Sequence, residues 1–106
     1  MEVLEKNAQL ITRLSKELEE LHAKLKETRL NLAKLETEIP TMKKNHEKVA
    51  KLAGMDLNGF QQDDVKEAEK ILIDAINEYK KLQNDIKELE KSIEIVEEQF
   101  VYAESS

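Results

Sequence analysis

ITRLSKELEELHAKLKETRLNLAKLETEI, residues 11–39, decides the fold. An apolar residue returns after three and then four positions, at Ile11, Leu14, Leu18, Leu21, Leu25, Leu32, Leu35 and Ile39, with Thr28 holding the one polar place. That alternation keeps one stripe of an α-helix apolar and marks the a and d positions of a heptad. The same frame extends back through Asn7 to Leu4 and forward through Met42, His46, Val49 and Ala53. A second ladder of equal spacing runs through Val65, Ala68, Leu72, Ala75, Tyr79, Leu82, Ile86, Leu89, Ile93, Val96, Phe100 and Ala103. Neither ladder slips phase. The chain therefore reads as all-α: a long antiparallel coiled-coil helical hairpin that dimerises into a four-helix bundle. Helix 1 covers residues 1–53, a connecting loop 54–64 and helix 2 residues 65–104, forming a single module.

The signals around the ladders agree with these bounds. Gly54 suits a helix C-cap because glycine accepts left-handed backbone, and Lys48 and Lys51 complement the negative end of the helix dipole. Asn58-Gly59 is a turn signal, and Asp64 with Glu67 has the form of a capping box opening helix 2. Pro40 is the discordant residue. It lies off the seam and the heptad passes through it unchanged, so it predicts a kink or a helix restart with the chain keeping its direction.

Charged residues are 38% of the chain and aromatics 4%, the balance of extended helices with a thin apolar stripe rather than of a pocket-bearing enzyme. Cysteine is absent, which rules out disulfides and thiolate chemistry. No apolar run approaches the roughly 20 residues needed to cross a bilayer, and Met1-Glu2-Val3-Leu4-Glu5 lacks the regions of a signal peptide. The expectation is a cytoplasmic or nuclear protein without a membrane partner. Charge is uneven. Residues 1–53 hold eleven Lys or Arg against nine Asp or Glu (+2), and residues 54–106 hold six against fourteen (−8), which sum to the net −6. This favours packing the halves on each other and disfavours nucleic acid as a partner. The basic cluster Lys43, Lys44, Lys48 and Lys51 lacks stacking aromatics and arginines and reads as a solvated face.

Among antiparallel registers, one in which facing residue numbers sum to 121 sets His46 on Ala75, Met42 on Tyr79, Leu21 on Phe100 and Leu18 on Ala103. It also brings Arg29 near Glu90 and His22 near Glu97, but places Glu38 near Asp85. A register one heptad shorter competes with it. In the preferred register helix 2 ends near residue 18 of helix 1, leaving Leu4, Ile11 and Leu14 without a partner in the chain. Exposed seam residues ask to be covered. Ile71, Ile73 and Ile76, with Leu72 and Ala75, spread apolar surface beyond a two-residue seam, which four helices bury and two do not. These residues are candidates for partner binding.

Catalytic and cofactor chemistry finds no support. His46-Glu47 begins like the zinc-protease pattern H-E-x-x-H, but its last place is Ala50. His46, like Asn7 and Thr28, reads as a polar seam layer that fixes register. His22 is remote from His46 in any hairpin, and no catalytic, metal or cofactor site and no small-molecule substrate is expected. The loop combines Leu57 and Phe60 with Asp56, Asp63 and Asp64. Packing back over the seam end is one reading, and a tip presented to a partner, with Leu57, Phe60 and Asp56 as contacts, is the other. In outline this acidic-tipped hairpin resembles that of the Gre class of transcript cleavage factors, which implies a regulator inserted into a polymerase-like enzyme. More loosely it resembles the paired helices of prefoldin-type chaperones.

Three functions follow as expectations. The first is a non-enzymatic coiled-coil interaction module, a scaffold, spacer or adaptor acting as a homodimer and through protein partners. The second is a coiled-coil segment of a larger machine, such as a long-coil ATPase, a tether or a kinetochore-like complex. The third is the acidic-tipped regulator.

Overall fold

A computed structural model of the chain describes residues 2–54 and 62–105, with side chains from residue 7 onward. These residues form two helices, α1 (Glu2–Gly54) and α2 (Gln62–Ser105), and no strand. The all-α expectation holds. The connecting residues that carry Asp56, Leu57 and Phe60 lie outside the described residues, as do the Asn58-Gly59 turn and the reading of an acidic tip.

The burial pattern follows the ladders. The eight buried residues among those described, Leu14, Leu25, Val49, Ala68, Ala75, Leu82, Ile93 and Ala103, all stand on ladder positions. The other ladder side chains described are half-buried, and none is fully exposed. Residues at the intervening positions are mostly exposed, as a single stripe on each helix requires.

Two element boundaries differ from expectation. Helix α1 ends on Gly54 itself, and α2 starts at Gln62, so Asp63 and Asp64 lie in its first turn. Carboxylates there are stabilised by the exposed N–H groups and the positive end of the helix dipole, so the helix had no reason to wait for Val65. Pro40 sits inside an unbroken α1 and its side chain is exposed, which excludes the restart. Proline lacks the N–H that would bond the Glu36 carbonyl four residues earlier. One turn before it, the Thr37 hydroxyl donates to the Lys34 carbonyl at 2.8 Å, a back-bond of the kind that accompanies helix bending.

Two compact units divide the chain, Met1–Arg29 with Asn84–Ser106, and Leu30–Gln83. In the first, His22 meets Glu97 and Arg29 meets Glu90, so rising numbers on α1 meet falling numbers on α2. The helices there are antiparallel. In the second, Glu36 meets Tyr79, while Thr41, Met42 and Asn45 share a groove with Ala68 and Ile71. The sense is again antiparallel.

Candidate functional site

In the unit of Met1–Arg29 and Asn84–Ser106, Arg29 Nη2 stands 3.0 Å from Glu90 Oε1 and His22 Nε2 stands 3.9 Å from Glu97 Oε1. Both pairs were expected. The first is a charge-assisted hydrogen bond, and the second is an ion pair only when the imidazole is protonated. All four side chains are more than half exposed, so each pair contributes at most about 1 kcal/mol.

The expected reach of helix 2 is wrong in the same unit. Leu14, predicted to lack a partner within the chain, is 2% exposed and is the most deeply buried side chain described. With Leu10 and Arg13 of α1 it lines a groove of about 480 Å³ opposite Ile95, Glu98, Gln99 and Tyr102 of α2. Helix α2 therefore covers α1 beyond residue 18, as far as Leu10. Arginine and glutamate side chains each reach several ångströms along a helix axis, so the two ion pairs tolerate this displacement and could not exclude it. Ile11 is half-buried, and Leu4 lies among the residues whose side chains are not described.

The second unit shows a displacement of the same sense. Tyr79, set on Met42 by the sum of 121, sends its hydroxyl to Glu36 Oε1 at 3.2 Å. Burial in the seam raises the phenol above its ordinary pKa of 10.0, and the hydrogen bond to Glu36 and that carboxylate's charge act in the same direction. Ile71 and Ile73 are exposed, at 50% and 47%, while Ile76 and Leu72 are half-buried and Ala75 is buried. Apolar surface thus extends outside the seam where the sequence placed it.

A second groove in the first unit, about 380 Å³, runs between Leu21, Lys24 and Thr28 of α1 and Asp85, Glu88 and Leu89 of α2. The Thr28 hydroxyl bonds inside α1, to the Lys24 carbonyl at 2.8 Å. That bond is satisfied in any register, so Thr28 is a weaker register-fixing layer than its place in the seam suggested. His46 is half-buried in the second unit. Among the described residues no group of three or more His, Asp or Glu could hold a metal ion, and no helix is long and apolar enough to cross a membrane.

Sequence reasoning missed Tyr102 and Ile95, both on α2 outside its ladder and both exposed, at 77% and 50%. Their signal was present. They are seven residues apart and so share a helix face beside the seam. No family model, curated protein or solved structure matches the chain.

Proposed function

We propose that this chain is a non-enzymatic coiled-coil interaction module, a scaffold, spacer or adaptor that works by self-association into a four-helix dimer and by binding other proteins. What supports this is incomplete coverage of apolar surface. Leu18, Leu21, Leu32, Leu35, Leu72, Ile86 and Leu89 sit in the seam yet remain only half-buried. Leu30, Ile71, Ile73, Ile95 and Val101 stand outside it and are exposed. At about 25 cal/mol per Å² of apolar area withdrawn from water, covering these side chains with further helices is a substantial driving force. The grooves described between the helices are open and lined by leucine, lysine and glutamate, which suits a helix laid along them better than an enclosed small molecule.

Sedimentation equilibrium over a range of concentrations tests the reading. The expected result is a dimer in reversible equilibrium whose thermal midpoint rises with concentration. A chain that is fully helical, cooperatively folded and strictly monomeric at hundreds of micromolar would overturn it.

A further inference from the structure

The geometry points to one side of the unit Met1–Arg29 with Asn84–Ser106 as the docking surface for a helix of another protein, one with an apolar stripe and lysines or arginines beside it. This rests on the proposed binding of other proteins and adds the face and the chemistry of what binds there. Two grooves follow one another along this side. The first is lined by Leu10, Leu14, Ile95 and Tyr102, with one cation, Arg13, and one acid, Glu98. Ile95 and Tyr102 are 50% and 77% exposed, so this groove is an apolar pad open to water. The second runs from Leu21 to Thr28 on α1, with Lys24 as its one cation, and carries Asp85, Glu88 and Leu89 on α2. Glu17 and Glu20 line a further groove with the same Leu21 and Lys24. Glu27, seven residues from Glu20, continues that row of α1. Five carboxylates thus stand beside a single lysine around Leu21 and Leu89, and the next rows outward add only Lys16 and Lys91.

The ion pairs of this unit do not relieve that excess. His22 with Glu97 and Arg29 with Glu90 lie along the other edge of the seam, and none of the five carboxylates is in an ion pair among the described residues. Crowded like charges repel one another, and a cation laid among them is attracted by all of them at once. A second copy docked face to face by a two-fold axis would bring the same acids against these, so the occupant is a different chain. Charge sets its composition and the grooves set its shape. Both grooves run along the helices, and their centres are roughly twelve residues apart on α1, about 18 Å. A helix laid over both places apolar side chains on Leu10, Leu14, Ile95 and Tyr102, and lysines or arginines about three turns further on, among the carboxylates.

Two synthetic peptides of about 20 residues, long enough to span both grooves as helices, test it. Both carry leucines at three- and four-residue steps; one has lysines beside them and the other glutamates. Fluorescence anisotropy of each labelled peptide against the full chain is expected to show the lysine peptide binding about tenfold more tightly or better, with the gap closing in molar salt. Glu20→Lys with Glu88→Lys is expected to weaken its binding about tenfold, and Ile95→Ser with Tyr102→Ser by a similar factor. Glu19→Lys with Glu94→Lys applies the same change of charge along the opposite edge and should leave the affinity within about twofold. Circular dichroism checks that every variant remains helical. No binding of either peptide, equal binding of both, or equal losses from the two charge variants would overturn the proposal. If the Ile95→Ser, Tyr102→Ser chain instead loses its own dimerisation while the lysine peptide never binds, the face belongs to a second copy. Sedimentation of the unaltered chain reads the proposed self-association separately. A chain that dimerises but ignores the lysine peptide leaves that reading standing and this face wrong; a monomer that binds the peptide through Glu20 and Glu88 does the reverse.

Discussion

Replacing Leu14 by alanine separates the reach of α2 seen in the structure from the shorter reach that the ladder arithmetic favoured. Leu14 is 2% exposed, so truncation withdraws a buried side chain rather than trimming a surface. At about 0.8 kcal/mol per buried carbon group, the loss of transfer free energy is about 2.4 kcal/mol. A cavity adds to this. The site borders an open groove into which Leu10 and Tyr102 can settle, so relaxation limits the added cost and the total should be about 3 kcal/mol, low in the range for buried Leu→Ala changes. Leu18, only half-buried, serves as the internal comparison and should cost about half as much when changed to alanine. Urea unfolding followed by helical circular dichroism gives the difference, provided that chain concentration is held fixed, because association adds a mass-action term. A loss below about 1 kcal/mol would mean that α2 does not reach Leu14, since a leucine beyond the end of α2 faces water and alanine is the better helix former. Repeating the measurement at tenfold dilution distinguishes burial within the chain, where the cost persists, from burial by a second copy, where it fades.

Four further outcomes are expected. The neutral Tyr79 phenol is favoured in the folded chain because its pKa is raised there, so its contribution is fully present below the unfolded pKa near 10 and is lost as pH rises through the folded value; Tyr79→Phe should flatten the alkaline fall in thermal midpoint, and an unchanged fall counts against the Glu36 bond. A double-mutant cycle on Arg29→Ala and Glu90→Ala should give a coupling of about 0.5 kcal/mol that vanishes in molar salt, because the pair is exposed; a coupling above about 2 kcal/mol would mean the pair is desolvated. Pro40→Ala should stabilise by about 1–3 kcal/mol and raise helical signal, since the proline sits exposed inside a continuous helix; destabilisation would show that packing requires a bend there. Ala75→Leu should cost about 1–3 kcal/mol by overpacking although it adds apolar area, because Ala75 is 8% exposed; a gain in urea midpoint would mean that the seam is loose at that level.

What was legible in the sequence is what depends on a repeating angle. Three- and four-residue steps place side chains on one stripe whatever lies opposite, so the buried set could be read from the ladders, including small members such as Ala68 and Ala103. Register was less legible because sliding one helix by a heptad returns the same residue classes to the seam and changes only the weak flanking terms. Arg29 with Glu90 was foreseen, yet the same foresight left Leu14 uncovered, because exposed ion pairs between long side chains constrain axial position loosely. The start of α2 was misplaced for a related reason. Asp63 and Asp64 satisfy N-terminal N–H groups equally well from a cap or from the first turn. Ile71, Ile73 and Ile76 stand out beyond the seam because they are consecutive with Leu72 and Ala75, whereas Ile95 and Tyr102 are seven residues apart, set among Glu94, Glu97, Glu98 and Glu104, and form no such run with each other.

The apolar face beside the seam follows from how the seam is built. Three of the five buried positions on α2 are alanines, at Ala68, Ala75 and Ala103, whereas the three on α1 are Leu14, Leu25 and Val49. Small residues are quickly covered and contribute little apolar area, so burying them leaves the larger neighbours Leu72, Ile86, Leu89 and Phe100 half in water. Apolar side chains also flank the seam, at Leu10, Ile71, Ile76 and Ile95, where an isolated two-stranded coil places charged residues. A helix with apolar residues at a and d alone is satisfied by one neighbour, whereas one with a wider apolar arc requires two. The breadth of the apolar arc, more than the seam itself, is what argues that further helices belong against this chain.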